Sequence, residues 1–240
     1  MKHIIVFLAY ENFDIIKKSF NSLKNCDSDF FIIENNSKNS NIIKEFFINE
    51  NLVGYIQFIE NAAANAVNIF IKKYYNLLSQ YDYVTITDGD LFLYDATETF
   101  GEIISSFNHN NCYVCGVALY KGNYYENTTN RIIGTEYYIE HMLSKSEHKL
   151  EAIKGRTGNH LLTFNKESLH VIKDIHYIDS NIFKKIKELG GSCYRTTKNL
   201  AYHLTWDVYF DGNPYYENKK NNLKEIWSQS DFDFKYNVII

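Results

Sequence analysis

Two carboxylates separated by one glycine, Asp88-Gly89-Asp90, have the spacing in this chain most suited to chemistry. They follow Tyr83-Val84-Thr85-Ile86-Thr87, a run of β-branched and aromatic residues that predicts a short strand. The pair therefore stands at the carboxyl end of that strand, where open α/β sheets take their ligands. Like charges so close repel one another, and a divalent cation relieves the repulsion. Carboxylate oxygens suit Mg²⁺ or Mn²⁺ carrying a diphosphate. A solvent-exposed Asp-Gly turn between two strands is the competing reading of the same residues.

The elements that must position this pair are written as alternating periods. Residues 1 to 9 predict a first strand, too short an apolar run to span a bilayer. Phe13, Ile16, Phe20 and Leu23 recur at helical spacing behind Asn12, a suitable cap. Asp29 to Ile33 predicts a second strand, Ile42 to Phe47 a short helix, Gly54 to Ile59 a third strand, and Val67 to Leu78 the next helix. This alternation predicts an α/β fold with a mostly parallel sheet covered by helices. Tyr10-Glu11, Glu34-Asn35-Asn36, Glu60-Asn61 and Asp88-Gly89-Asp90 then fall side by side at strand ends and rim one crevice. No Gly-rich dinucleotide fingerprint and no phosphate loop is present, so a nucleotide here is held by carboxylates, amides and a metal. Glu34 can accept from a base ring N–H, and the Asn amides can serve ribose or base; each Asn taken singly is equally a turn or cap residue.

Composition excludes several classes. The chain has 240 residues, 45% of them hydrophobic, which is ordinary for a globular protein. A net charge of −4 offers no basic field for a nucleic-acid backbone. No stretch reaches about 18 uncharged apolar residues, so no segment is expected to span a membrane. Cys112 and Cys115 form one Cys-x-x-Cys, but no second ligand pair supports zinc; buried thiols in a reducing compartment are expected, with a redox motif as the second reading. The location expected is cytoplasmic, with the inner face of the membrane as an alternative through peripheral association. With 20 Tyr, the chain has rings that offer both an apolar face and a hydroxyl to a sugar, or that simply fill core and surface.

In the second half, Ala96 to Phe107 predicts a helix and Cys112 to Tyr120 a strand. Asn123 to Thr129 has no periodicity and reads as a flap carrying Tyr124 and Tyr125. Tyr137 to Leu143 predicts a helix, and Gly155 to Asn159 a turn before a strand at His160 to Phe164. Ile182, Phe183, Ile186 and Leu189 form a helical stripe closed by Gly190. Asp179 stands at the start of that helix, where it serves as a cap or, facing the cleft, as a general base. His203, after a predicted strand at Ser192 to Thr196, can complete a site begun by carboxylates or can be structural.

These residues resemble a family 2-type glycosyltransferase with the GT-A fold, from about residue 3 to about residue 210. Ile32-Ile33-Glu34-Asn35-Asn36-Ser37 resembles the segment that contacts the nucleobase, with Glu34 where Asp is usual. Glu60-Asn61-Ala62-Ala63-Ala64-Asn65, followed by Asn68, resembles the asparagine-bearing segment after the third strand, without its customary glycine. Asp88-Gly89-Asp90 matches the metal and diphosphate motif, Gly155 to Asn159 resembles the acceptor-side turn, and Ile178-Asp179 stands where Glu-Asp is usual. His203 resembles the late histidine that joins the metal shell in some members.

The resemblance implies a three-layer α/β/α sandwich over residues 1–218. Residues 1–95 would bind the nucleotide sugar and 96–218 the acceptor, with 219–240 a terminal helix or tail. It also implies Mn²⁺ or Mg²⁺ on Asp88, Asp90 and His203, and a nucleoside-diphosphate sugar, UDP-linked, against Ala9, Tyr10, Glu11, Glu34, Asn36, Asn61, Asn65 and Gly89. The acceptor would be a glycan or lipid-linked glycan, with Asp179 as base of an inverting displacement, although retention stays open. A sugar nucleotidyltransferase is an alternative, but it is expected to carry a basic, glycine-rich loop where this chain has Ala9-Tyr10-Glu11-Asn12. A noncatalytic nucleotide- or carbohydrate-binding module of the same fold is another.

Overall fold

The computed structural model describes residues 1–63, 65–118, 151–152, 160–177, 179–196, 201–204 and 234–240, with 151–152 and 179 described by backbone alone. Four strands and three helices alternate from the start: β1 (His3–Ala9), α1 (Phe13–Leu23), β2 (Asp29–Glu34), α2 (Ser40–Phe47), β3 (Gly54–Phe58), α3 (Asn65–Leu78) and β4 (Tyr83–Asp88). There follow β5 (Leu91–Leu93), α4 (Ala96–Ser106), β6 (Cys112–Gly116), β7 (Glu151–Ala152), β8 (Leu161–Asn165), α5 (Lys166–Ile172), α6 (Asp179–Glu188), β9 (Ser192–Arg195), β10 (Ala201–His203) and β11 (Tyr236–Val238). Helix starts are fixed where the sequence supplies an oxygen. Asn12 accepts from the Ile15 N–H, Asp95 from Glu98 and Asn165 from Ser168.

One sheet runs in the order β11-β3-β2-β1-β4-β8-β6-β9-β7. The pairing makes β1 to β4, β6 and β9 point one way, while β8, β7 and β11 oppose them. The sheet is thus mostly parallel. Side-chain alternation sorts its two faces. Ile4, Val6, Ile33, Val84, Ile86 and Phe164 pack under α3, α5 and α6, whereas Ile5, Phe7, Phe30, Ile32 and Leu161 pack under α1, α2 and α4. This is an α/β fold with helices on both sides of a central sheet.

Chain order reverses between β1 and β4, the point at which such sheets open a crevice beyond their carboxyl ends. Leu8 of β1 lies beside Asp88 of β4 there. Two strand pairings shape this end of the sheet without a signal in the sequence. The antiparallel strand β8 inserts between β4 and β6, and β10 pairs with β5 in a separate two-stranded ribbon, His203 opposite Leu91. The predicted strand from Cys112 ends at Gly116 rather than at Tyr120. Residues 236–238, expected within a terminal helix or tail, form an edge strand against β3.

Candidate active site

Asp88 and Asp90 leave the end of β4 across Gly89, and the glycine is required by space. A Cβ on Gly89 would stand 2.5 Å from the Leu8 carbonyl oxygen and 3.3 Å from Ala9 Cα. The turn can therefore press against the end of β1 only without a side chain. Two histidines arrive from distant parts of the chain. His160 precedes β8; its carbonyl accepts from the Asp88 N–H at 2.8 Å, and its Nδ1 lies 3.0 Å from Asp88 Oδ2. His203 ends β10, is 1% exposed, and places Nε2 3.5 Å from Asp90 Oδ1. The Leu204 N–H donates to the Asp90 carbonyl at 2.7 Å, locking the ribbon to the carboxylate turn.

The two imidazoles meet edge to face with centroids 4.5 Å apart. Asp88, His160 and His203 each offer a ligand atom, all within 4.8 Å of one another. One carboxylate and two imidazoles so gathered, with Asp90 beside them, are a donor set that fits a divalent ion.

The ends of β1, β2 and β3 form the neighbouring rim, where three residues other than glycine adopt left-handed backbone: Glu11 (φ 63°), Asn36 (φ 58°) and Ala63 (φ 46°). Such conformations are sparsely populated and persist where surrounding bonds hold them. Here the bonds are explicit. The Glu11 N–H donates to Ser37 Oγ at 2.7 Å, and the Asn35 N–H donates to the Ala9 carbonyl at 2.9 Å. Asn35 Nδ2 donates to Asn61 Oδ1 at 2.9 Å, while its Oδ1 accepts from the Ala62 N–H at 2.9 Å. Asn35 thus staples three strand ends together. Asn36 is exposed and Tyr10 half-buried on this rim.

Glu34 is placed differently from an open base-binding residue. It is 0% exposed, with Oε1 accepting from the Ser37 N–H at 2.6 Å and Oε2 without a hydrogen-bond partner among the described residues. Burial pushes its carboxyl above the ordinary range, bonds from Ser37 oppose the shift, and Glu11 adds to it. Asn65, which opens α3, is also 0% exposed, and neither its Oδ1 nor its Nδ2 has a partner among the described residues. One turn on, Asn68 Oδ1 accepts from the Tyr177 N–H at 2.6 Å. Its Nδ2 has no partner among the described residues; unsatisfied buried amide groups are uncommon, and both residues stand in the first turn of α3.

The family description "Glycosyl transferase family 2" matches residues 4–170 of this chain. The chain belongs to glycosyl transferase family 2. Three proteins of Acanthamoeba polyphaga mimivirus are 31%, 31% and 32% identical to this family member over 93%, 92% and 93% of it. It spans only 32%, 26% and 48% of their lengths. Among solved structures, mannosyltransferase PcManGT from Pyrobaculum calidifontis, in complex with GDP-Man and Mn²⁺, superposes with a TM-score of 0.60 at 12% identity, covering 88% of this chain and 58% of that one. S. aureus TarS 1-349 in complex with UDP-GlcNAc gives 0.54 at 15% identity, covering 84% and 58%. Glucosyl-3-phosphoglycerate synthase from Mycobacterium tuberculosis, in complex with Mn²⁺, UDP and phosphoglyceric acid, gives 0.55 at 10% identity, covering 99% and 86%. At these identities the likeness is one of fold, the GT-A architecture.

Within this family 2 member the structure places Asp88, Asp90 and His203 at one strand end, and the sequence gives no sign of His160 beside them. That residue reads only as the start of a strand, and its role depends on β8 lying antiparallel beside β4. Asp179 is the first residue of α6; its side chain, Ile178, the flap with Tyr124 and Tyr125, the helix expected at 137–143 and the turn expected at 155–159 lie outside the described residues. Among the described residues no helix is long and apolar enough to cross a membrane.

Proposed function

We propose that this chain moves a sugar from a UDP-linked donor to a hydroxyl of a glycan or lipid-linked glycan, with inversion at the anomeric carbon. The observation that carries the reading is the convergence of Asp88, Asp90 and His203 at the sheet's switch point, beside a strained rim of amides. Asp88, Asp90 and His203 would hold Mn²⁺ or Mg²⁺. When bound, the ion neutralises charge developing on the leaving diphosphate. Ala9, Tyr10 and Glu11 would line the approach to the nucleoside with Asn36 and Asn61, and Glu34 and Asn65, buried behind them, would present a carboxyl and an amide toward the base and ribose. Gly89 lets the diphosphate approach the main chain. Asp179 would hold the acceptor hydroxyl and remove its proton as the new glycosidic bond forms. Residues 1–95 would supply the donor side and 96–218 the acceptor side, with His203 reaching from the second to the donor's ion. GDP-Man in one structural neighbour and UDP-GlcNAc in another support a nucleotide-sugar site of this shape, and UDP is the first ligand to test.

Calorimetric titration with UDP in the presence and absence of Mn²⁺ tests the donor site. Binding should depend on the ion and largely disappear in Asp90→Ala. Unchanged Mn²⁺-dependent affinity in that variant would remove Asp90 from the site.

A further inference from the structure

We propose that His160 is a direct ligand of the cation, and that its pairing with His203 makes the site favour later first-row transition ions over Mg²⁺. The inference rests on the reading of this cluster as a cation site. At metal–ligand distances of about 2.1 Å, two donor atoms at right angles stand about 3 Å apart. His160 Nδ1 and Asp88 Oδ2 are already 3.0 Å apart. No large rearrangement is needed to bring His203 in, because one donor atom from each of the three residues already lies within 4.8 Å of the others.

The mounting of His160 is rigid. Its carbonyl oxygen accepts both from the Asp88 N–H at 2.8 Å and from Thr87 Oγ1 at 3.2 Å, so the last two residues of β4 both grip it. A ligand held this way from a strand end needs little further ordering. The burial pattern is equally one-sided. His203 is sealed at 1% exposure, whereas the side chains of His160 and Asp88 remain 27% and 35% exposed. An ion bound here keeps coordination positions open toward the crevice, as a substrate-binding metal requires.

Ligand chemistry then sets the preference. Mg²⁺ favours oxygen ligands and parts reluctantly with its waters, and two imidazoles give it little in exchange. Nitrogen ligands steepen the ordinary rise in affinity from Mg²⁺ through Mn²⁺ to Co²⁺.

Titration of the full chain with Mg²⁺, Mn²⁺ and Co²⁺ alone, and again with UDP present, tests the proposal together with pulsed EPR of the Mn²⁺ form. Wild type should bind Co²⁺ at least about tenfold more tightly than Mn²⁺ and show nitrogen couplings from two imidazoles. His160→Ala should lose one of the two couplings and at least about tenfold in Co²⁺ affinity while Mg²⁺ affinity changes little. His160→Gln, which offers an amide oxygen in place of the imidazole, should hold Mg²⁺ and Mn²⁺ as tightly as wild type while Co²⁺ binding stays weakened, circular dichroism showing both variants folded. Unaltered couplings and Co²⁺ affinity in His160→Ala, with Mn²⁺-dependent UDP binding intact, would overturn the role of His160 and leave the donor reading standing. Wild type binding no ion, with or without UDP, would overturn both.

Discussion

Glu34 is a carboxylate enclosed in the core side of the rim. It shares the period-two face of Phe30 and Ile32, so the alternation that buries those residues under α1 and α2 buries it as well. Its Oε2 and the hydroxyl of buried Tyr55 both lack partners among the described residues. Because its folded pKa lies above the ordinary value of 4.5, the native state binds the proton more readily than the unfolded chain. The stability it contributes is therefore fully present below that value and is lost as pH rises through the folded pKa. Glu34→Gln removes the buried charge, keeps an oxygen for the Ser37 N–H, and supplies an N–H where Oε2 has none to receive. Thermal unfolding should show the variant a few degrees more stable at pH 7, a shift that corresponds to about 1 kcal/mol in a chain of this size, with the gap closing below pH 4.5. A variant less stable than wild type at pH 7 would mean that the ionised carboxylate is held favourably after all.

At the scale of elements, the carboxylate turn and the end of β1 behave as one piece. Gly89→Ala drives a Cβ into the Leu8 carbonyl and close to Ala9 Cα, both backbone atoms of a central strand that cannot rotate away. It should destabilise the fold by about 1–3 kcal/mol and weaken Mn²⁺-dependent UDP binding beyond what partial unfolding explains. Gly101→Ala is the matched control: it lies within α4, a Cβ there meets nothing within 4 Å, and a helix gains about 0.5–1 kcal/mol from the exchange. Equal thermal midpoints for the two variants would refute the steric account. The same scale shows what the sequence makes legible. Helices α1 to α4 and strands β1 to β4 carry local periods of apolar residues, and their order follows directly. By contrast β5 and β10 are only three residues each, and β8 owes its place between β4 and β6 to partners far along the chain. No local period reports such pairings. Hence Asp88, Asp90 and His203 can be picked out by type and order, while His160 cannot.

For the whole molecule, catalysis as proposed needs the donor end of β4 and the start of α6 held in one frame. The bond from the Tyr177 N–H to Asn68 Oδ1, across 109 residues, ties the approach to α6 onto α3. Asp179 follows two residues later. Asp179→Asn should keep the fold and donor affinity, since an amide caps a helix as well as a carboxylate, yet slow single-turnover transfer by about 10²–10⁴-fold. Near-normal transfer by the folded variant would make Asp179 a cap and place the base elsewhere. The cluster that gives the crevice its character has a further property, one of timing. Asp88 and His160 are 72 residues apart in the chain, and His203 comes later still. As the polypeptide leaves the ribosome, the parallel strands β1 to β4 can collapse early on short connections, but the carboxylate turn must wait 72 residues from Asp88 for the first imidazole and longer still for the second. Any divalent ion captured before then meets oxygen ligands alone; the nitrogen-rich set exists only once the late segments have docked.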